Sequence, residues 1–188
     1  MATDSLRRHR LTVHDYYRMA EVGILRPDAR VELIEGEIID MAPNGSRHAG
    51  TINHLARILH ASVSELAVVQ IQNPVSLNEH SEPKPDVALL RPRADFYKSA
   101  HPRPADGLLI IEVADTSLRY DREIKVPLYA RYGIPELWVI DLNGRNLTRY
   151  RDPREGAYAR IDRPDLHEPV PVDAIADLHV ELAAVFLA

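Results

Sequence analysis

Apolar residues recur along the chain with two different periods, and the switches between them outline its elements. Residues 12–22 fit a short helix, with Thr12 able to cap it and Asp15 at the capping-box position as a shorter stand-in for Glu. Residues 31–41 read as a β-hairpin. Val31, Leu33, Ile38 and Met41 supply its apolar positions, and Glu35-Gly36 the two-residue turn. Pro43, Asn44 and Gly45 then break the chain. A helix is predicted from Ser46, with Ile52, Leu55, Leu59, Val63 and Leu66 as its buried stripe. Residues 67–77 look extended, and Asn78 to Lys84 is polar and turn-like.

Two buried strands follow, at 86–90 and 108–114, separated by a loop rich in proline and charge. Residues 119–132 look helical and end at Gly133, a suitable C-terminal cap. Pro127 must kink or restrict that segment, because it has no N–H to donate. A third apolar strand runs from Glu136 to Leu142, residues 146–151 and 157–161 pair as a hairpin, and the tail 178–187 adds a strand or short helix. The order predicts an α/β fold, a mixed β-sheet flanked by helices. At 188 residues a single domain over 1–188 is expected, with its core at about 30–150.

Each of the two buried strands carries an acid among apolar neighbours: Asp86 in Pro85-Asp86-Val87-Ala88-Leu89-Leu90, and Glu112 in Leu109-Ile110-Ile111-Glu112-Val113. A carboxylate there is costly unless something pairs with it. A divalent cation shared by the two is the simplest partner, and Lys125, in the helical segment that follows, could reach the same place. Asp, Glu and Lys around a metal are the parts of a phosphodiester-cleaving site. Each residue also has a plainer explanation. Asp86 could cap a turn after Pro83 and Pro85. Glu112 could sit at an edge or pair with Lys125 alone. Lys125 could pair with Asp121, four residues earlier on the helix. His48, in the first turn of its helix, could contact substrate or transfer protons, or it could lie at the surface or support a ligand from behind. Arg47 could hold a phosphate or be solvated, and Trp138 and Tyr129 suit a core better than a base-stacking platform.

Composition narrows the classes. With no cysteine, disulfides, zinc–thiolate sites and thiol catalysis are excluded. The formal net charge of −5 argues against a strong nonspecific nucleic-acid binder, although local patches matter more than the total. Three patches stand out: Arg7, Arg8 and Arg10; Arg91, Arg93 and Lys98; Arg145, Arg149, Arg151 and Arg154. The N-terminus lacks the apolar core of a secretory signal. Asp177, His179 and Glu181 interrupt the one window approaching transmembrane length, so a cytoplasmic location without membrane association is expected. No P-loop, HExxH or G-x-S-x-G pattern is present.

Four stretches carry a family resemblance. They are Glu32-Leu33-Ile34-Glu35-Gly36-Glu37, then Arg47-His48 opening a helix, then Pro85-Asp86-Val87-Ala88. The fourth runs from Ile111-Glu112-Val113 through Asp121–Ala130 to Gly133-Ile134-Pro135-Glu136-Leu137-Trp138-Val139-Ile140-Asp141. Together they resemble the PD-(D/E)XK, restriction-endonuclease-like nucleases, and among these the Uma-two-type branch. The resemblance implies a magnesium-dependent endonuclease acting on DNA, with manganese as an alternative ion. Asp86, Glu112 and the Val113 carbonyl would be the metal ligands, and Lys125 would activate water. Glu32 or Glu37, with His48, would stand at the rim, either glutamate orienting the first metal or holding a second. In the superfamily pattern the lysine lies two residues after the acid, where this chain has Ala114, so the catalytic lysine must come from the following helix. A homodimer placing two sites on two strands is expected. The contrasting expectation is a catalytically silent module of the same fold that binds DNA or a protein partner.

Overall fold

The computed structural model describes residues 8–186. Arg7 of the first basic patch and the last position of the expected terminal segment, residue 187, lie outside them. The chain forms two compact units, one from the stretch up to Pro43 with Ser76–Pro83, the other from Asn44–Val75 with Lys84 onward.

The smaller unit contains helix α1 (Val13–Glu21) and the hairpin β1 (Val31–Ile34) and β2 (Glu37–Asp40). Thr12 caps α1 through a reciprocal capping box, its hydroxyl accepting from the Asp15 N–H at 3.1 Å while the Asp15 carboxylate accepts from the Thr12 N–H at 2.9 Å. The turn residues Glu35 and Gly36 both have positive φ, +50° and +82°, as a two-residue hairpin turn of this hand requires. Gly36 is also needed for space, since a Cβ there would come within 2.5 Å of the Arg10 Cβ. Tyr16, Val31 and Leu33 form this unit's small core. Glu82 is buried as well, and accepts the Tyr17 hydroxyl at 2.6 Å. Burial and the Glu82 carboxylate together push the Tyr17 phenol well above its ordinary range.

The larger unit is built on a six-stranded mixed sheet. Its strands are β3 (Val68–Ile71), β4 (Val87–Leu90), β5 (Gly107–Ala114), β6 (Glu136–Asp141), β7 (Asn146–Arg154) and β8 (Ala157–Asp162), side by side in that order. All neighbours are antiparallel except β5 and β6, which run parallel. That exception follows from the connection, because a parallel pair needs a crossover and the helical segment 118–131 provides it. Helix α2 (Ser46–Val63) covers one face. Its Ile52, Leu55, Leu59 and Val63 pack on Leu109, Ile111, Val113, Trp138 and Ile140. Full burial of each such side chain stabilises by roughly 1.5–3 kcal/mol. Two short strands, β9 (Val170–Pro171) and β10 (His179–Val180), and a 3-10 turn at Ala183–Phe186 close the same core.

Several expectations shift by a physical cause. Leu66 is outside the helix and 56% exposed, because α2 ends at Val63 and Ser64 turns the chain with φ +46°. The extended stretch 67–77 is a strand only as far as Ile71, and Gln72 leaves the sheet with φ +48°. The predicted helix 119–132 is broken into α3 (Leu118–Tyr120), a π-helical turn (Asp121–Lys125) and α4 (Val126–Arg131). Pro127 cannot donate to the Glu123 carbonyl, and the preceding turn widens so that the Val126 N–H bonds the Asp121 carbonyl instead. Of the third basic patch, Arg145 and Arg154 are exposed, while Arg149 and Arg151 are structural. Arg149 and Arg151 are held by Asp162 at 2.7 Å and 2.5 Å, and Arg151 also reaches Asp173 at 2.9 Å.

Candidate active site

The site grows from the pairing of β4 with β5. Val87 faces Ile111 and Ala88 faces Ile110, so the same antiparallel register carried one step further places Asp86 across from Glu112. Facing residues of an antiparallel pair share a face of the sheet. Val87 and Ile111 point into the α2 core. Asp86 and Glu112 therefore point to the opposite face. Both strands are interior to the sheet, which removes the possibility that Glu112 sits at an edge.

The crossover segment covers that face. The π-helical turn brings Lys125 to Glu112, Nζ to Oε1 at 3.1 Å, and both side chains are buried. From α4, the Tyr129 hydroxyl donates to the same Oε1 at 2.7 Å. Tyr129 is fully buried, as the sequence suggested, but its polar end serves the site. A lysine thus reaches Glu112 from the next element, while Ala114 stands two residues after the acid on β5.

Asp86 is held from three sides. Its Oδ2 accepts the Val113 backbone N–H at 2.8 Å and lies 3.2 Å from His48 Nε2. Its Oδ1 accepts the Gln72 side-chain amide at 3.1 Å. Burial pushes the Asp86 carboxyl up. The His48 ring, the Val113 N–H and the Lys125 charge outweigh that and hold it below its ordinary value. The bond to Asp86 raises His48, against the effect of burial, and the Asp86 charge and the Val113 backbone add to it. His48 Nδ1 is buried and, among the described residues, meets no hydrogen-bond partner. His48 is thus neither at the surface nor detached from the acids.

The structure brings together Asp86, Glu112, Lys125, His48 and the Val113 backbone. Glu32 and Glu37 belong to the smaller unit and differ sharply there. Glu32 is buried in β1, whereas Glu37 is exposed and pairs with Arg8 at 3.5 Å. Arg47, beside His48 on α2, is exposed to solvent yet engaged. It donates to the Leu142 carbonyl, to Asn143 Oδ1 at 2.9 Å, and pairs with Asp115 at 3.6 Å. Sequence reasoning did not single out Gln72. Its signal was slight, a glutamine just before Asn73-Pro74 at the end of an apolar run.

The donor set suits a hard divalent cation. Among the described residues no group of three or more His, Cys, Asp or Glu side chains is arranged around a metal position. An ion here would rest on two carboxylates, a backbone carbonyl and water, which is the coordination magnesium tolerates best.

A six-stranded mixed sheet with its acids on two interior strands and helices on both faces is the fold of a restriction-endonuclease-like nuclease. The chain belongs to the Uma2 family, described as "Putative restriction endonuclease", which matches residues 13–184. Among solved structures it is similar to a protein from Anabaena variabilis described as "a putative nuclease belonging to DUF820", at 16% identity and a TM-score of 0.69, covering 94% of this chain and 97% of that one. At that identity the likeness speaks for the fold. No curated protein matches the chain. No helix among the described residues is long and apolar enough to cross a membrane.

Proposed function

We propose that this protein is a magnesium-dependent endonuclease that hydrolyses phosphodiester bonds in DNA. One observation carries the reading. Two buried carboxylates, Asp86 and Glu112, share a face of the sheet, and a buried lysine from another element is bonded to one of them. Such a cluster is expensive to bury and gives the fold nothing that apolar residues would not. Perturbed, partnered acids of this kind concentrate at functional sites.

Asp86 and Glu112 would hold the ion, with the Val113 carbonyl beside them. The bound ion supplies Lewis-acid polarisation of a phosphoryl oxygen and makes a coordinated water more acidic. Lys125 orients the attacking water and offsets charge gathering on the phosphoryl oxygens. His48 and the Val113 N–H fix the Asp86 carboxylate. The water oxygen bonds to phosphorus as the ester P–O bond breaks, and the departing oxygen takes up a proton. The products are a phosphate monoester and a free hydroxyl. Manganese, with the same preference for oxygen donors, would substitute.

Cleavage of supercoiled plasmid in magnesium tests this, with wild type compared with Asp86→Ala, Glu112→Ala and Lys125→Ala. Nicking by wild type alone, abolished by chelator, is the expected result. Equal nicking by all four proteins would sink the assignment. One observation favours a second reading, a silent module that binds DNA. Glu112 Oε1 is already satisfied by Lys125 and Tyr129 without a cation. Plasmid binding without cleavage in either metal would support that reading. We also infer a homodimer, which would present one site to each DNA strand. A monomer by light scattering at micromolar concentration would contradict it.

A further inference from the structure

We propose that Gln72 is a positioning residue of this site, its side-chain amide setting the Asp86 carboxylate for a cation. The inference rests on the nuclease reading of Asp86 and deepens it.

Gln72 follows the last residue of β3 and has φ +48°, in the left-handed region that glycine adopts freely and side-chain-bearing residues rarely do. A glutamine held there carries backbone strain that glycine would not. The turn itself does not need the side chain. The Gln72 backbone N–H closes it by donating to the Asp86 carbonyl at 3.0 Å. Side chains brace it further. Gln70 Nε2 donates to the Asn73 and Pro74 carbonyls at 3.2 Å and 3.1 Å, and Asn73 Nδ2 donates to the Ile71 carbonyl at 2.9 Å. Glycine at 72 would keep every one of these bonds and relieve the backbone. What glutamine adds is a single contact, Nε2 to Asp86 Oδ1 at 3.1 Å.

That contact is well suited to a ligand carboxylate. A carboxylate only accepts hydrogen bonds, so the amide nitrogen must face it. Among the described residues Oδ1 meets only Gln72, while Oδ2 is shared by His48 and Val113. A neutral amide fixes the plane of the carboxylate without neutralising it. It also leaves Oδ1 a lone pair for a cation, which a lysine in its place would compete for.

The test uses Gln72→Gly in the full chain, with manganese titrated by calorimetry in the absence of DNA, plasmid nicking, and thermal melting. We expect the variant to melt only slightly lower than wild type, because relief of the backbone offsets most of the lost hydrogen bond, to bind manganese about 10–100-fold more weakly, and to lose kcat by a similar factor with plasmid KM little changed. Wild-type manganese affinity and kcat in Gln72→Gly would overturn the proposal and leave the nuclease reading standing. A melting temperature several degrees lower would also overturn it, showing the amide to be a structural brace. If wild type neither binds manganese nor nicks plasmid, the nuclease reading fails and this inference with it.

Discussion

Lys125 Nζ and Glu112 Oε1 lie 3.1 Å apart, and both side chains are withdrawn from solvent. Two opposite charges buried at this range depend on each other, since removing one leaves the other desolvated and uncompensated. Lys125→Ala should therefore destabilise the metal-free protein by roughly 3–5 kcal/mol. Magnesium should return part of that stability, because an ion that binds only the folded state stabilises it by mass action. Melting curves in chelator and in magnesium check both halves. A variant that melts with wild type in chelator would mean that Glu112 is held without the lysine.

Tyr129 shares that same oxygen, at 2.7 Å. Tyr129→Phe keeps the ring and its packing and deletes only the donor. A lost hydrogen bond to a charged group costs roughly 1.5–3 kcal/mol. The expected signature is a modest fall in melting temperature with a larger fall in nicking rate, since Glu112 loses one of the bonds that fix its orientation. Urea unfolding alongside the plasmid assay separates the two. Unchanged nicking at reduced stability would confine Tyr129 to the core.

These two residues show what the sequence could and could not reveal. Asp86 and Glu112 were legible because an acid inside an apolar run is costly, and the run itself marks an interior strand. The capping box at Thr12, the Glu35-Gly36 turn and the α2 stripe up to Val63 were legible because each depends on neighbours within a few positions. The pairing of Lys125 with Glu112 was foreseen only as one of two partners, the other being Asp121. Tyr129 looked like any buried aromatic, since nothing local reveals where a hydroxyl ends up. Gln72 was hidden for the same reason, because its role follows from a left-handed turn whose partner lies fourteen positions away. Leu66 fitted the helical period, but the period does not say where Ser64 ends the helix.

The His48–Asp86 pair should leave a mark on the pH dependence of stability. The folded state raises His48 above its ordinary 6.5 and lowers Asp86 below its ordinary 3.8. A raised histidine contributes stability that is complete below 6.5 and is lost as pH rises through its folded value. A depressed aspartate contributes stability that is complete above 3.8 and is lost as pH falls through its folded value. In chelator, the gap in melting temperature between wild type and His48→Ala should be widest between these two values. It should then narrow steadily as the buffer becomes alkaline. A gap that stays constant from about pH 5 to 9, across the titration range of histidine, would show that His48 acts through packing alone.

Pro127 links the chain's local chemistry to the placement of its lysine. It sits at the start of α4, where a missing N–H is tolerated, and the turn before it is π-helical. Lys125 is the last residue of that turn. Pro127→Ala restores an N–H that can bond the Glu123 carbonyl and lets the ladder close with α-helical spacing. Each residue of helix advances about 100° around the axis, so absorbing the extra residue of the π turn would swing Lys125 away from Glu112. The variant should melt below wild type in chelator, since the broken Lys125–Glu112 pair outweighs the helix preference of alanine, and should nick plasmid nearly as poorly as Lys125→Ala. Its crystal structure would show whether the Val126 N–H still reaches the Asp121 carbonyl. If the π turn and full activity both persist, the packing of Tyr129 and Leu128 fixes the lysine, and the proline only accommodates it.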